Sequence, residues 1–317
     1  MKCSSRTGIE LWGALPTPFL PSGEVDELGL RRNVHHCIDA GLDGVYCNGL
    51  MGEGWALSHD ERKGIVEVIV DEAADRLLVT PVTSAPTLDE AIALSAHAQR
   101  VGAAYSVLEV PAAADSDQDV LDHFDAVFAA VDMPFVIFNP GKSGTRESTL
   151  SLKAFAALCE RPNVKILKTT ADPHSNNQLR DVAKGTGVRV SDPLEEHFFE
   201  NLLEHGQALL YCDPEGYLYQ SAHHRPIEEY IRLCGEGRVQ EAKEVFDSLS
   251  AVRQVYRKWI IGPLENGHMP NAALKKWCEL VGMAGGSVRH PLKALTAAES
   301  AELEHDLKQA LGTRRPD

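Results

Sequence analysis

The stretch Val164-Lys165-Ile166-Leu167-Lys168-Thr169-Thr170 reads as one β-strand running into a loop. Side chains alternate along a strand, so Val164, Ile166 and Lys168 share one face. Lys165 sits on the other face near the start, where a long side chain can reach solvent. Lys168 sits near the end, behind apolar residues. Seven further short apolar runs flank this one: Leu11–Pro16, Gly44–Asn48, Leu77–Thr83, Tyr105–Val110, Pro134–Asn139, Val188–Ser191 and Ala208–Cys212. Amphipathic helical segments separate the runs: Leu28–Ala40, His59–Ala74, Thr87–Val101, Gln118–Val131, Thr149–Cys159, Ser175–Ala183 and Pro193–Leu203. Their spacing of roughly 20–35 residues is that of a βα-repeat. An open doubly wound sheet would carry G-x-G-x-x-G after an early strand, and none is present. Eight units predict a closed (β/α)8 TIM barrel, a fold of about 250 residues.

Beyond the eighth run the pattern is helical only: Ile227–Cys234, Val239–Trp259, Ala272–Val281 and Ala297–Leu311. The first of these closes the eighth unit, which predicts a catalytic barrel over 8–235 and a C-terminal helical extension over 236–312 packed on it.

The chain has 317 residues, 44% of them hydrophobic and 24% charged, enough to bury a large core without disulfide or metal staples. Its 31 basic and 46 acidic residues leave a formal net charge of −15, which argues against nucleic acid and anionic membranes as partners. Seven scattered cysteines with no C-x-x-C suit a reduced, cytoplasmic setting. No secretory h-region and no apolar run of membrane-spanning length is visible.

In such a barrel, chemistry gathers at the C-terminal ends of the strands. Those ends supply Thr17, the Asn48–Glu53 loop, Glu109, Phe138-Asn139-Pro140, Lys168-Thr169-Thr170, Tyr211 and Asp213. A desolvated lysine there loses its proton more readily, and a neutral amine attacks ketones. A purely structural lysine would instead pair with a strand-end carboxylate such as Asp192 or Asp213. Gly49-Leu50-Met51-Gly52-Glu53 is a turn whose consecutive amides can cup a carboxylate, or simply a tight βα loop. Ser58-x-x-Glu61 is a capping box. Gly141-Lys142-Ser143 is not a phosphate loop, because Val136 stands where that motif needs glycine. No H-E-x-x-H, H-x-H or G-x-S-x-G is present, so zinc and serine-triad chemistry have no support.

The ordered motifs resemble the dihydrodipicolinate synthase / N-acetylneuraminate lyase family of Schiff-base pyruvate aldolases. Gly13-Ala14-Leu15-Pro16-Thr17-Pro18-Phe19 is similar to that family's G-x-x-x-T-P-F opening, and Gly49–Glu53 to its G-T-T-G-E loop. Phe138-Asn139-Pro140 resembles its Tyr-Asn-x-Pro strand end, and Lys168 follows Phe138 by 30 residues, the place of the Schiff-base lysine. Met269–Lys275 and Gly286–Leu292 resemble its C-terminal region, so the likeness runs from Gly8 to Leu311.

This sequence also departs from the family. Leu50 and Met51 replace two threonines, Phe138 replaces the proton-relaying tyrosine, and Ala112 and Ala113 replace a tyrosine pair. Lys142 is a loose match to a basic residue after the fifth strand. The resemblance implies a class I lyase that needs no metal or organic cofactor, with Lys168 forming an imine with a 2-oxo acid. Gly49, Leu50, Met51, Asn139 and Lys142 would bind that substrate. Leu50, Met51 and Phe138 would dry the pocket and favour an apolar or aromatic aldehyde as second partner. Proton transfer would fall to Tyr211, Asp213, Glu109, a water or the substrate's own carboxylate. A Schiff-base hydro-lyase or deaminase, and a catalytically silent 2-oxo-acid binder, are the competing readings. The resemblance also implies a homo-oligomer, a dimer or tetramer.

Overall fold

The computed structural model describes residues 8–112, 114–140 and 150–311. Each of the eight expected runs contains a strand whose ends differ from expectation by at most two residues: β1 (Glu10–Ala14), β2 (Gly44–Cys47), β3 (Leu78–Pro81), β4 (Ser106–Glu109), β5 (Phe135–Asn139), β6 (Val164–Thr169), β7 (Arg189–Ser191) and β8 (Leu209–Tyr211). Between them lie α1 (Glu27–Asp39), α2 (His59–Ala73), α3 (Leu88–Val101), α4 (Asp117–Ala130), α5 (Leu152–Cys159), α6 (Pro173–Ala183) and α7 (Glu195–His205). Asp26, Ser58, Thr87, Ser116, Ser151 and Asp172 cap the first six of these helices through their side-chain oxygens. The caps satisfy amides that a helix start leaves without partners, and so set where each βα loop ends. Ser58 and Glu61 form the reciprocal capping box expected of their spacing.

All strand pairs are parallel, in the orders β3-β2-β1-β8 and β4-β5-β6-β7. A parallel bridge between Val82 and Val107 joins β3 to β4. Between β7 and β8 the seam is made by a side chain. The Ser191 hydroxyl accepts the Tyr211 amide at 3.1 Å and donates to the Leu209 carbonyl at 2.9 Å. These connections close a (β/α)8 barrel.

The chain continues through α8 (Glu215–Leu218), α9 (Pro226–Gly235), α10 (Val239–Ser248), α11 (Ser250–Tyr256), a π-turn over Arg257–Ile261, α12 (Gly262–Glu265), α13 (Asn271–Leu280) and α14 (Ala297–Leu311). The continuous helix expected over Val239–Trp259 is therefore corrected to two helices and a π-turn. Its break falls where Ser248 turns its hydroxyl back onto the Val245 carbonyl at 2.6 Å, a local bond that competes with helix propagation. Leu274, Trp277, Leu303 and Leu307 of α13 and α14 belong to the same buried cluster as Trp12, Val45 and Tyr211 of the barrel. No described helix is long and apolar enough to cross a membrane, and the six described cysteines are all free thiols.

Candidate active site

The parallel registers put Phe138 of β5 beside Lys168 of β6, and Lys168 beside Ser191 of β7. Lys168 is buried, with 4% of its surface exposed. Its Nζ donates to the Tyr46 hydroxyl at 2.6 Å and to Asp213 Oδ1 at 2.7 Å. Tyr46, from β2, in turn donates its hydroxyl proton to the same Asp213 oxygen. Three groups from opposite sides of the barrel thus form a closed triangle. Aromatic rings surround it: the nitrogen lies 4.2 Å from the centre of Tyr46, 5.1 Å from Tyr211 and 5.3 Å from Phe138. Asp213 is the wet corner, since 23% of its side chain is exposed against 5% for Lys168.

Of the two carboxylates a structural lysine could have chosen, Lys168 pairs with Asp213. Asp192 is held elsewhere by the Leu194 amide at 3.0 Å, Asn176 at 3.2 Å and His197 at 3.0 Å. Its charge raises the His197 pKa through that hydrogen bond. Burial, reinforced by the Asp213 charge, pushes the Tyr46 phenol well above its usual value, so this hydroxyl keeps its proton at neutral pH.

Tyr211 stands in the same aromatic box, edge-on to Tyr46 at 5.0 Å, but its hydroxyl turns to Thr80 Oγ1 at 2.7 Å. Burial raises its pKa too. Glu109 is half-buried at the end of β4, where its amide bonds the Ser84 hydroxyl. Asn139 is buried and its side chain spans protein groups, donating to Thr169 Oγ1 and accepting from the Leu150 amide, both at 3.2 Å. Lys142 and Ala113 lie outside the described residues.

The loop after β2 folds as successive tight turns, with Gly52 and Gly54 amides bonded to the Gly49 carbonyl and the Glu53 amide to that of Leu50. The N–H groups of Leu50 and Met51 donate to no acceptor among the described residues. Gly54 cannot be replaced, because a Cβ there would fall 1.9 Å from the Asn48 carbonyl oxygen. Met51 is buried, whereas Leu50 is 41% exposed.

Sequence reasoning missed three supports of this site. Tyr46 is one; its signal was a phenol on the Gly44/Tyr46 face of a buried strand, where a hydroxyl must find a partner. Asn271 of α13 is another, donating to the Leu50 and Met51 carbonyls at 2.9 and 3.2 Å. The third is the ion pair between Glu53 and Lys275, at 2.5 Å and almost wholly buried. Burial lowers the Lys275 pKa against the opposing pull of Glu53. Phe19 lies under the cations of both Lys275 and Arg289, 4.1 and 4.2 Å from its ring centre. Among the described residues, a cluster of ligand atoms suited to a metal occurs at Glu200, Glu204 and His205, exposed on α7 and away from the barrel strands.

A buried lysine at the C-terminal end of the sixth strand of a (β/α)8 barrel, bonded to a tyrosine of the second strand and an aspartate after the eighth, defines a class of barrel proteins with a lysine-centred site. Within that class, the Dihydrodipicolinate synthetase family matches residues 9–207, and the chain belongs to it. Among curated relatives, the 4-hydroxy-tetrahydrodipicolinate synthase of Methanothrix thermoacetophila is 28% identical over 293 residues, 92% of each chain. That of Methylococcus capsulatus is 38% identical over 133 residues, 41% of this chain and 46% of the relative. Among solved structures, YagE, a prophage protein of the dihydrodipicolinic acid synthase family from E. coli K12 in complex with pyruvate, superposes with a TM-score of 0.83. It is 23% identical over 96% of this chain and 98% of its own. Dihydrodipicolinate synthase from Aquifex aeolicus gives a TM-score of 0.81 at 24% identity, over 95% and 97% of the two chains.

Proposed function

We propose that this protein is a Schiff-base-forming carbon–carbon lyase of 2-oxo acids, with Lys168 as the amine that attacks the keto carbon. The observation that carries this reading is the Lys168 nitrogen itself. It sits at the strand ends against a phenol and a carboxylate, inside an aromatic box whose Asp213 corner reaches solvent. The free amides of Leu50 and Met51 bind the substrate carboxylate, since backbone donors do not depend on the side chains that have departed from the family pattern. The imine draws electrons from the adjacent carbon–carbon bond, and cleavage releases an aldehyde from an enamine. Phe138, Leu50 and Met51 favour an apolar or aromatic aldehyde. Synthase activity of the dihydrodipicolinate type is disfavoured, because Phe138 and Leu50 carry no hydroxyl. The enzyme needs no metal or organic cofactor for this chemistry and works as a homo-oligomer in the cytoplasm.

Borohydride reduction in the presence of pyruvate tests the reading. One reduced pyruvyl group on the Lys168 peptide is expected, and its absence at saturating pyruvate would refute imine chemistry. Turnover over a panel of pyruvate adducts separates a lyase from a silent binder, which would be labelled without releasing product. Asp213 beside the imine also suits removal of the acidified C3 proton with loss of a C4 hydroxyl as water, a dehydration that keeps the carbon skeleton intact, so product mass distinguishes the two reactions.

A further inference from the structure

We propose that Tyr46 and Asp213 are the proton relay of this site, with Tyr46 supplying from β2 the hydroxyl that Phe138 lacks on β5. The inference rests on the imine reading above and adds the groups that move protons during it. Both touch the reacting nitrogen: Tyr46 at 2.6 Å and Asp213 at 2.7 Å, with the phenol also bonded to the carboxylate. Three other polar side chains at the strand ends are committed elsewhere. Tyr211 bonds Thr80, Asp192 is held by three donors, and the Asn139 amide ties β5 to β6 and Leu150. A phenol kept neutral by burial and by its carboxylate neighbour can accept a proton from one side while giving one to the other, which is what a relay requires.

The proton balance closes without any outside acid. Forming the imine from an ammonium and a ketone releases one water, and the two protons that water needs are the two the nitrogen must lose. Asp213 takes the first proton from Lys168, leaving the lone pair that forms the bond to C2. It returns that proton to the ketone oxygen, giving a carbinolamine. It then takes a second proton from the nitrogen and delivers it to the carbinolamine hydroxyl, which leaves as water while the C=N bond forms. The Tyr46 hydroxyl, which accepts from Nζ and donates to Asp213, carries each proton between them, giving its own to the carboxylate as it takes the nitrogen's. Asp213 ends as it began, ionised.

The relay is tested by timing imine formation: pyruvate is mixed with excess enzyme, the mixture is quenched with borohydride at intervals, and the Lys168 adduct is counted by mass spectrometry. A wild-type enzyme that never labels refutes the lysine reading and not the relay. Given labelling, Tyr46→Phe and Asp213→Asn are each expected to slow imine formation by roughly 100- to 10,000-fold, the span of positioned acid–base groups. Adding Phe138→Tyr to Tyr46→Phe is expected to recover part of the lost rate, because the Phe138 ring centre lies 5.3 Å from the same nitrogen and the added hydroxyl restores a phenol beside it. A purely packing role for Tyr46 would give no such recovery. Wild-type rates in both single variants, or a folded but unrescued double variant, overturn the proposal. Should Tyr46→Phe not fold, the isosteric Asp213→Asn decides alone, and an unslowed rate there is equally fatal.

Discussion

Asn271, on the C-terminal helix α13, clamps two consecutive carbonyl oxygens of the loop after β2, Leu50 at 2.9 Å and Met51 at 3.2 Å. Across a planar trans peptide the carbonyl and the following amide point opposite ways, so holding the Leu50 carbonyl turns the Met51 amide away from Asn271, and a residue remote in sequence sets the direction of one of the donors proposed to hold the substrate carboxylate.

Asn271→Ala is therefore expected to weaken 2-oxo-acid binding more than it slows chemistry. A lost hydrogen bond of about 1–1.5 kcal/mol corresponds to a roughly tenfold rise in KM. The measurement is the pyruvate dependence of borohydride labelling, with the maximal labelling rate as the internal control. An unchanged concentration dependence would show that the clamp does not orient the loop.

The Glu53–Lys275 pair predicts a large loss of stability. Both side chains are essentially inaccessible, Glu53 also accepts the Arg289 amide at 2.9 Å, and Lys275 donates to the Ser287 carbonyl at 2.6 Å. Lys275→Ala leaves a buried carboxylate uncompensated, a change that costs about 3–5 kcal/mol. Denaturant unfolding should show the midpoint falling by that equivalent. Lys275→Ala with Glu53→Gln should lose less than the single variant, because the stranded charge is then gone.

The seam between β7 and β8 gives a third expectation. Ser191→Ala removes the acceptor of the Tyr211 amide and the donor to Leu209 in a fully buried position. An unsatisfied buried amide costs about 1–3 kcal/mol. Hydrogen exchange at the Tyr211 amide should accelerate more than exchange at amides in the β1–β2 ladder. Uniform acceleration would mean that Ser191 supports global stability and not this seam.

What could be read ahead of the structure follows from the range of the interactions. Alternation within Val164–Thr169 and the helical spacing between strands are local, so eight βα units were legible, and the glycines of Gly49–Glu53 marked the loop that the fold places over the strand ends. The triangle of Lys168, Tyr46 and Asp213 was not, because its members lie 122 and 45 residues from the lysine along the chain and meet only when the barrel closes. Phe138 signalled that a hydroxyl was missing, but nothing local to β2 said that Tyr46 would face the same nitrogen. The break at Leu249 escaped because it depends on one rotamer of Ser248 and not on any helix-breaking residue.

Asp43 yields a pH-dependent prediction with a defined sign. Its Oδ2 accepts the Leu11 amide at 2.9 Å at the base of the barrel. Burial, aided by the charges of Glu10 and Glu228, raises its pKa to about 6 from an ordinary 3.8. The folded protein therefore holds this proton where the unfolded chain has released it. Its favourable contribution is complete below pH 3.8 and is lost as pH rises through about 6, leaving a buried charge at neutrality. Asp43→Asn keeps the shape and an acceptor for Leu11 while removing that charge. It should stabilise the protein above pH 6 by an amount on the order of 2–3 kcal/mol, from 1.36 kcal/mol per pKa unit, and the gain should vanish below pH 4. Unfolding midpoints of the two proteins across this range measure it, and a gain that does not depend on pH would place its origin in packing and not in the ionisation of Asp43.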